Sequence, residues 1–274
     1  MRTTDIHSVV RLTADEHWGF GTRDLKRMMA LQPSGCLVAT LNTGPIGLTT
    51  TIAYGKTLGW IGNVVVDRRQ RGAGVGSRLV QSAVRYLRRI NVKSIGLYSY
   101  PENEAMYERL SFKTTDGFAT LSMPQPAEDS ARRTGTTPFH QIIRLDNRAF
   151  GADRGRLLRR LYREFPKFWT WITNDAGLAG YSLVKQYRDS SEIGPLVSEP
   201  MNRDCVQVLI QSSIALTKKW PLEMSIPESN FTAAEIAVQL GFRPVRKGVV
   251  MSYARLKPAV IGPAIGALGF LDKG

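Results

Sequence analysis

The chain of 274 residues has few of the side chains that build metal centres and disulfide frameworks: two cysteines and three histidines. The histidines show no ligand spacing, and Cys36 and Cys205 form no pair pattern, so we predict no metal site and two small core cysteines. No apolar run reaches the roughly 18 residues that cross a bilayer, and residues 1–5 do not begin a signal peptide. These absences predict a cytoplasmic protein without a membrane partner.

Acidic residues are also scarce relative to basic ones. The sequence has 23 Asp and Glu against 37 Lys and Arg, a formal net charge of +14. This balance favours a polyanionic partner, either a phosphate-bearing cofactor or a nucleic acid. The arginines are spread along the chain without a zinc-finger, helix-turn-helix or RNA-binding motif. We therefore favour the cofactor and expect no nucleic acid, and the positive field weakly disfavours a strongly cationic acceptor.

One segment does have the pattern of an anion site. A β-branched strand ending at Val66 leads into a glycine-rich loop and then into an amphipathic helix over 74–90. The loop glycines are Gly72, Gly74 and Gly76. Such a junction joins free backbone N–H groups to the positive end of a helix dipole, and Arg71 adds a positive charge. Because glycine has no Cβ, the backbone can approach a ligand closely, and a pyrophosphate fits this description.

The glycine spacing argues against two other phosphate ligands. A P-loop requires a Lys-Ser/Thr pair after the last glycine, whereas Ser77-Arg78 follows here. A dinucleotide fingerprint requires glycines at spacings of two and then three, whereas these run at two and two. A nucleoside triphosphate and NAD are therefore both disfavoured.

The loop resembles the coenzyme A loop of the GNAT superfamily of N-acetyltransferases, whose pattern is Arg/Gln-x-x-Gly-x-Gly/Ala directly after a strand. The matching run is Arg71-Gly72-Ala73-Gly74-Val75-Gly76, with Arg68 where proline is usual. The resemblance implies acetyl-CoA as the cofactor, held by this run and by further residues. Those further residues are Val64, Val65, Val66, Ser77 and Asn103.

A second GNAT signature follows the predicted strand 93–99. The segment 101–112 resembles Asn-x-x-Ala-x-x-x-Tyr-x-x-x-Gly-Phe, with Ser111 in place of glycine and the alanine shifted. The resemblance implies that Tyr107 is the general acid that protonates the departing thiolate. The alternative for Tyr107 is a packed aromatic side chain. We name no general base, since Asp67, Glu102 and Glu104 are better interpreted as loop or helix-start carboxylates.

The resemblance also implies where the reaction takes place. The thioester would lie beside the strand 63–66, splayed by a bulge so that its amides bind the pantetheine and the acetyl carbonyl. A neutral amine would attack directly while a strand N–H near Val65 holds the oxyanion. Three aromatic residues are candidates for the acceptor pocket, although each is also interpretable as a core residue. They are Trp18, Phe20 and Trp60.

The order of predicted elements occurs twice. Leu110-Ser111-Phe112 recurs as Leu240-Gly241-Phe242, and Ile61-Gly62 recurs as Ile193-Gly194 at nearly the same offset. We predict an α/β protein (α+β, mixed sheet) with two tandem GNAT-like domains, each a mostly antiparallel mixed sheet flanked by helices. The predicted divisions are a catalytic domain at 1–125, a linker at 126–138 and a second domain at 139–274.

Several local predictions accompany this division. In the first half, His7 to Thr13 reads as a strand and 15–31 as helical or broken helical. A strand over 35–42 then ends at a predicted hairpin turn, Asn42-Thr43-Gly44. Near the end of that half, 112–115 and 118–123 are predicted as two strands, and the second half is predicted to begin with a helix at 145–150.

The second half lacks the two chemical signatures. The segment 197–204 has no glycine and carries Glu199 and Asp204, and Ala237 takes the position that matches Tyr107. We therefore predict that this half has lost both cofactor and acid, and that it forms a wall of the acceptor site or a homodimer surface. The apolar tail 258–270 is too short and too broken by Gly and Pro to span a membrane, so we expect it to pack on the protein or a partner.

Three functions remain open from the sequence. The favoured one is an enzyme that acetylates a primary amine of a small molecule. The second is a protein acetyltransferase that acts on lysine or N-terminal amines. The third is a non-catalytic acyl-CoA sensor.

Overall fold

The computed structural model describes residues 1–14, 16, 20–42, 44–125, 138–254 and 262–269. These residues form two compact units. The first contains Met1–Thr115 and residues 250–254, and the second contains Asp116–Val249 and residues 262–269. The division by packing therefore falls inside strands, whereas the sequence-based boundary lies at residue 125. Residues 126–137 of the predicted linker lie outside the described residues.

The first unit is a mixed sheet with four helices. Its helices are α1 (Ile6–Ala14), α2 (Thr22–Leu31), α3 (Val75–Arg89) and α4 (Pro101–Glu108). Its strands are β1 (Cys36–Leu41), β2 (Gly44–Tyr54), β3 (Leu58–Val66), β4 (Ser94–Ser99) and parts of β5 (Phe112–Met123) and β10 (Arg243–Tyr253). The β1–β2 and β2–β3 pairs are antiparallel, and β4 is parallel to β3. The predicted hairpin, strand and helix from Cys36 to Arg89 are confirmed.

The apolar stripe of α3 covers one face of this sheet. Leu79, Val80, Ala83 and Leu87 are buried, as the helical spacing predicts. A Cβ on Gly59 of β3 would lie 2.9 Å from Leu87 Cδ2, so the helix and the strand are in close contact. This contact sets the position of the helix start relative to the end of β3.

The predicted strand His7–Thr13 is wrong, because these residues form most of α1. The buried positions of the helix are Ile6, Val9, Leu12 and Thr13. The apolar members of this set recur at helical spacing and pack with Leu48 of β2 and Val65 of β3. The β-branched residues in the run favour a strand locally, but burial of one helical face against the sheet overrides that preference.

The second unit repeats the order of elements. Its helices are α5 (Phe139–Phe150), α6 (Gly155–Glu164), α7 (Arg203–Leu216) and α8 (Phe231–Gln239). Its own strands are β6 (Trp169–Asn174), β7 (Gly177–Gln186), β8 (Ser191–Ser198), β9 (Leu222–Pro227) and β11 (Ile265–Ala267). The β6–β7, β7–β8 and β9–β5 pairs are antiparallel, and β8 is parallel to β9. Each unit thus has parallel and antiparallel strand pairs flanked by helices, which agrees with the predicted fold class.

Three local features differ from, or extend, the sequence-based expectations. The two predicted strands after residue 111 form one continuous strand, β5, and α5 begins at Phe139 rather than at Leu145. Within the tail, β11 pairs with β8 of the same unit, which confirms that part of the tail packs on the protein. None of the described helices is both long and apolar enough to cross a lipid bilayer.

Candidate active site

The end of β3 carries a bulge. Leu48 lies opposite Val65 and Thr50 opposite Gly62, which leaves one extra residue on β3. At this point Asn63 has a φ of 52°, and its Nδ2 donates a hydrogen bond to Thr50 Oγ1 at 2.8 Å. An extra residue in one strand re-aims the groups that follow it. The bulge lies in the segment where the resemblance to GNAT enzymes implies one.

Beyond the bulge, β3 has an open edge. The parallel pairing of β3 with β4 ends at Ile61 and Leu97. On the other side, Asp67, which follows β3, donates its N–H to Ile46 O of β2 at 2.8 Å. By the alternation of an antiparallel ladder, Val65 points its N–H to β2, whereas Val64 and Val66 point theirs to the β4 side. No strand within the described part of the chain pairs with β3 there, so a cleft lies between β3 and β4.

The glycine loop ends at a helix start without a cap. Gly72 and Gly74 have φ values of 81° and 75°, and no heavy atom lies within 4 Å of a Cβ built on either. Gly74 is the N-cap of α3 and offers no side chain, and the first turn contains no acidic residue. The exposed Ala73 lies in the loop, and Val75, Gly76 and Ser77 form the half-buried first turn. The first N–H groups of α3 are therefore arranged for an anion.

Three parts of the first unit meet at Gly76. A Cβ there would lie 3.6 Å from Met106 Sδ of α4 and 3.7 Å from Val66 Cγ2 of β3. Tyr107 follows Met106 in α4, is 6% exposed and packs edge-on against Phe112 with ring centroids 5.9 Å apart. Burial raises the pKa of Tyr107 above its ordinary value, so the hydroxyl stays protonated at neutral pH. The predicted loop, strand end and acid-bearing helix are thus adjacent.

Arg71 has contacts that the sequence did not indicate. Its Nε donates to Val66 O at 3.1 Å, and its Nη2 donates to the Glu16 carboxylate. Glu16 Oε1 also lies 3.9 Å from Arg68 Nε. No local pattern marks Glu16 as part of the site, because this contact joins residues far apart in sequence. Arg71 therefore ties the loop to the end of β3, and its positive charge is paired with Glu16 in this structure.

The candidate acceptor residues have different surroundings. Phe20 packs against the α1–β2–β3 cluster that includes Val65, and Trp18 lies outside the described residues. Trp60 is fully buried, lies over Gly96 and has its ring centroid 4.5 Å from that of Tyr98. This environment favours the core interpretation of Trp60.

The remaining predicted side chains lie in α4 or directly after β3. Asn103 is exposed in its first turn, and its N–H donates to Tyr100 O at 3.0 Å. Glu104 accepts a hydrogen bond from Thr114, and Asp67 accepts one from Arg69 N–H at 2.8 Å. These bonds give Glu104 and Asp67 structural partners.

The second unit has a different helix start. The Asn202 side chain caps α7 by accepting the Cys205 N–H at 3.0 Å, and Asp204 lies in the first turn. Ala237, which matches Tyr107 in position, is fully buried in α8. A capped, acidic helix start does not favour a phosphate, and alanine cannot transfer a proton.

Two family descriptions match the sequence. Residues 5–112 match "Acetyltransferase (GNAT) family", and residues 142–259 match "Acetyltransferase (GNAT) domain". The two matched segments correspond to the two halves of the repeat.

Related proteins carry the same type of name. The chain is 23% identical over 282 residues to the uncharacterized N-acetyltransferase YitH of Bacillus subtilis, with 95% of each chain covered. It is 25% identical over 188 residues to the holothin acyltransferase of a Pseudoalteromonas species. That alignment covers 67% of this chain and 63% of the relative, which is less than two thirds of the relative's length.

Solved structures share the fold over most of their length. A provisionally assigned acetyltransferase from Pyrococcus horikoshii has a TM-score of 0.84 and 22% identity, covering 100% of this chain and 94% of that one. A tandem GNAT protein from the clavulanic acid biosynthesis pathway has a TM-score of 0.64 and 15% identity, covering 91% of this chain and 94% of that one.

Proposed function

Because the chain belongs to the GNAT acetyltransferases and has two such domains in tandem, we propose that its first unit transfers an acetyl group from acetyl-CoA to a primary amine of a small molecule. The matched families consist of acyltransferase enzymes. The observation that carries the finer proposal is the meeting around Gly76 of an uncapped helix start, the end of β3 and α4, the helix that carries Tyr107. In this proposal the second unit does not take part in the chemistry.

The residues of the first unit fit the chemical groups of acetyl-CoA. The loop from Gly72 to Gly76 presents amides and the positive end of α3 to the diphosphate, and its two positive-φ glycines leave room for close approach. The β3 edge offers the N–H groups of Val64 and Val66 to the amides of the pantetheine arm. Bound acetyl-CoA supplies the activated thioester.

The protein's own groups then have two tasks. A strand N–H beside Val65 polarises the acetyl carbonyl and holds the negative charge that develops on its oxygen. Tyr107 donates its proton to the departing thiolate, and the raised pKa of Tyr107 keeps that proton on the hydroxyl until it is needed. The acceptor must present an uncharged amine, which attacks the carbonyl directly as the C–S bond breaks. The new amide nitrogen gives up one proton to solvent, and solvent returns a proton to the Tyr107 oxygen.

An amine panel tests this proposal. The intact protein is incubated with acetyl-CoA and a set of amino acid derivatives, amino sugars and short peptides, and release of free thiol is followed. We expect fast release with at least one small amine. Release with a peptide but not with its free amino acids would favour a protein acetyltransferase. Tight coenzyme A binding without release for any amine would favour a sensor. The predicted homodimer and cytoplasmic location stay predictions.

A further inference from the structure

The second unit contains a cleft built on the same plan as the first. The parallel pairing of β8 with β9 ends at Ile193 and Met224, as that of β3 with β4 ends at Ile61 and Leu97. A bulge in β8 then falls between Ile193 and Leu196, with one extra residue relative to β7. The two strands of each unit thus part at corresponding positions.

A strand of the chain itself fills the second cleft. β11 is antiparallel to β8, and the register pairs Ile265 with Val197 and Ala267 with Leu196. On one side, Ser198 N–H donates to Ala264 O at 3.0 Å. On the other side, Leu268 N–H donates to Ser225 O of β9 at 2.8 Å. Residues 264–268 therefore bridge β8 and β9 beyond the point where the direct ladder ends.

Two buried side chains hold this segment in place. Asn230 Nδ2 donates to Ile265 O at 2.8 Å, while its Oδ1 caps α8 by accepting the Ala233 N–H at 3.0 Å. Lys185 is fully buried, and its Nζ donates to Gly269 O at 2.5 Å. The same ammonium lies 2.8 Å from Glu192 Oε2, so Gly269 O is a further partner of an ion-paired lysine. Side-chain hydrogen bonds therefore hold the segment in addition to the strand ladder.

The backbone groups of the two clefts correspond. Ile193-Gly194 matches Ile61-Gly62, so Ser198 matches Val66 at the same offset along the strand. The Val66 N–H points to the open edge of β3, whereas the Ser198 N–H already binds the Ala264 carbonyl. A pantetheine arm carries amide carbonyl and N–H groups, as a peptide does. The tail strand can therefore satisfy the same edge.

We propose that residues 264–268 take the place of the pantetheine arm in the second unit. The chain thereby closes this cleft with its own strand, and one molecule of the thioester carrier binds per chain. The identity of the carrier in the first unit rests on the proposed function. The occupation of the second cleft by β11 is independent of it.

Hydrogen exchange of the full chain tests the occupation. Ala267 is fully buried in the core of the second unit, so Ala267→Glu should expel the strand, whereas Pro263→Glu adds the same charge at an exposed position. We expect the Ser198 and Leu268 amides to exchange about tenfold faster or more in Ala267→Glu, because each loses its acceptor. Equal protection in the two variants would overturn the proposal.

A second variant covers the outcome in which Ala267→Glu does not fold. Asn230→Asp keeps the oxygen that caps α8 but removes the Nδ2 donor to Ile265 O. We expect this variant to exchange faster at Leu268 and Ser198 but not at Ala233. Unchanged exchange at all three amides would contradict the proposal.

Two binding measurements complete the test. A synthetic peptide of residues 262–269, added to Ala267→Glu or Asn230→Asp, should restore slow exchange at Ser198, and no restoration would count against a strand-binding cleft. Calorimetry of the intact protein with coenzyme A should give one site per chain, and two sites would overturn the proposal. Absence of any coenzyme A binding would instead overturn the proposed function and leave the exchange results standing.

Discussion

The two clefts of this chain share a backbone plan and differ in what fills it. In the first unit β3 parts from β4, and the described residues place no strand between them. In the second unit β8 parts from β9, and β11 lies between them with Ala267 fully buried. A sheet that splays leaves backbone groups to satisfy. The second unit satisfies them within the chain, whereas we propose that the first binds the thioester carrier there.

The helix starts beside these clefts differ in the same way. α3 begins at Gly74 with no side-chain cap, whereas α7 begins after Asn202, whose side chain accepts the Cys205 N–H. A side-chain cap and a bound anion compete for the same N–H groups. For the anion site that we propose at α3, the absence of a capping side chain matters as much as the presence of positive charge.

The largest expected effect is on kcat, and it should differ between substitutions of two buried tyrosines, one in each unit. Tyr107→Phe should lower kcat for thiol release by about 10²- to 10⁴-fold, because it removes a positioned general acid. Coenzyme A affinity, measured by calorimetry, should not change. In the second unit, Tyr181→Phe also removes a buried hydroxyl, one that donates to Asp146, and should leave kcat within about twofold. Equal losses of kcat in both variants would show that Tyr107 has only a packing role.

The pH profile gives an independent readout for the same residue. Burial disfavours the phenolate and raises the pKa of Tyr107, so the acid remains protonated as the pH rises past the ordinary tyrosine value of about 10. We expect no fall in kcat from ionisation of Tyr107 below about pH 10. An alkaline fall near pH 8 that disappears in Tyr107→Phe would contradict this.

The next effect concerns a charged cluster of the second unit that no proposed step uses. Arg154 Nη2 and Nε lie 2.6 and 3.0 Å from the Asp146 carboxylate oxygens, and both residues are buried. Asp146→Ala should lower the free energy of unfolding by about 3–5 kcal/mol, because it removes the carboxylate that binds a buried guanidinium group.

The exposed pair of Arg148 and Glu199 in the same unit provides the control. Its two side chains are 59% and 40% exposed, so Glu199→Ala should cost only about 0–1 kcal/mol. Denaturant unfolding followed by circular dichroism measures both variants. Similar losses would mean that burial does not distinguish the two pairs.

The smallest expected effect is on coenzyme A affinity, and it tests the uncapped start of α3. Gly74→Ala places a Cβ at a φ of 75°, which costs about 1–2 kcal/mol, and should weaken coenzyme A binding about tenfold. Gly55→Ala introduces the same type of strain at a φ of 62° in the β2–β3 turn. It should lower stability similarly without changing the affinity. Calorimetry and thermal unfolding separate the two, and parallel losses of affinity would argue against a loop-specific role.

Local sequence patterns predicted the parts of the first unit that depend on local rules. The hairpin after β1, the strand β3 and the amphipathic helix α3 follow from turn residues and from hydrophobic spacing. The pattern failed for α1, where β-branched residues pack as a helix because Val9 and Leu12 are buried against the sheet. It could not indicate Glu16, whose contact with Arg71 joins distant segments.

The apolar tail gives a second example of a contact that local sequence patterns could not predict. Its apolar composition predicted packing on the protein or on a partner, and the pairing of β11 with β8 confirms the first alternative for Ile265–Ala267. The choice of the β8–β9 cleft was not predictable, because it depends on the Ser198 N–H and the Ser225 carbonyl, backbone groups that any residue carries.

The order of residues alone determined the doubled architecture, the glycine-rich helix start and the candidate acid, since glycine conformation, helix dipoles and side-chain chemistry are local properties. Only the tertiary structure decided which strands part, where Gly76 meets Val66 and Met106, and what lies between β8 and β9. Those outcomes depend on hydrogen-bond groups and packed surfaces that become neighbours only after distant segments have folded together.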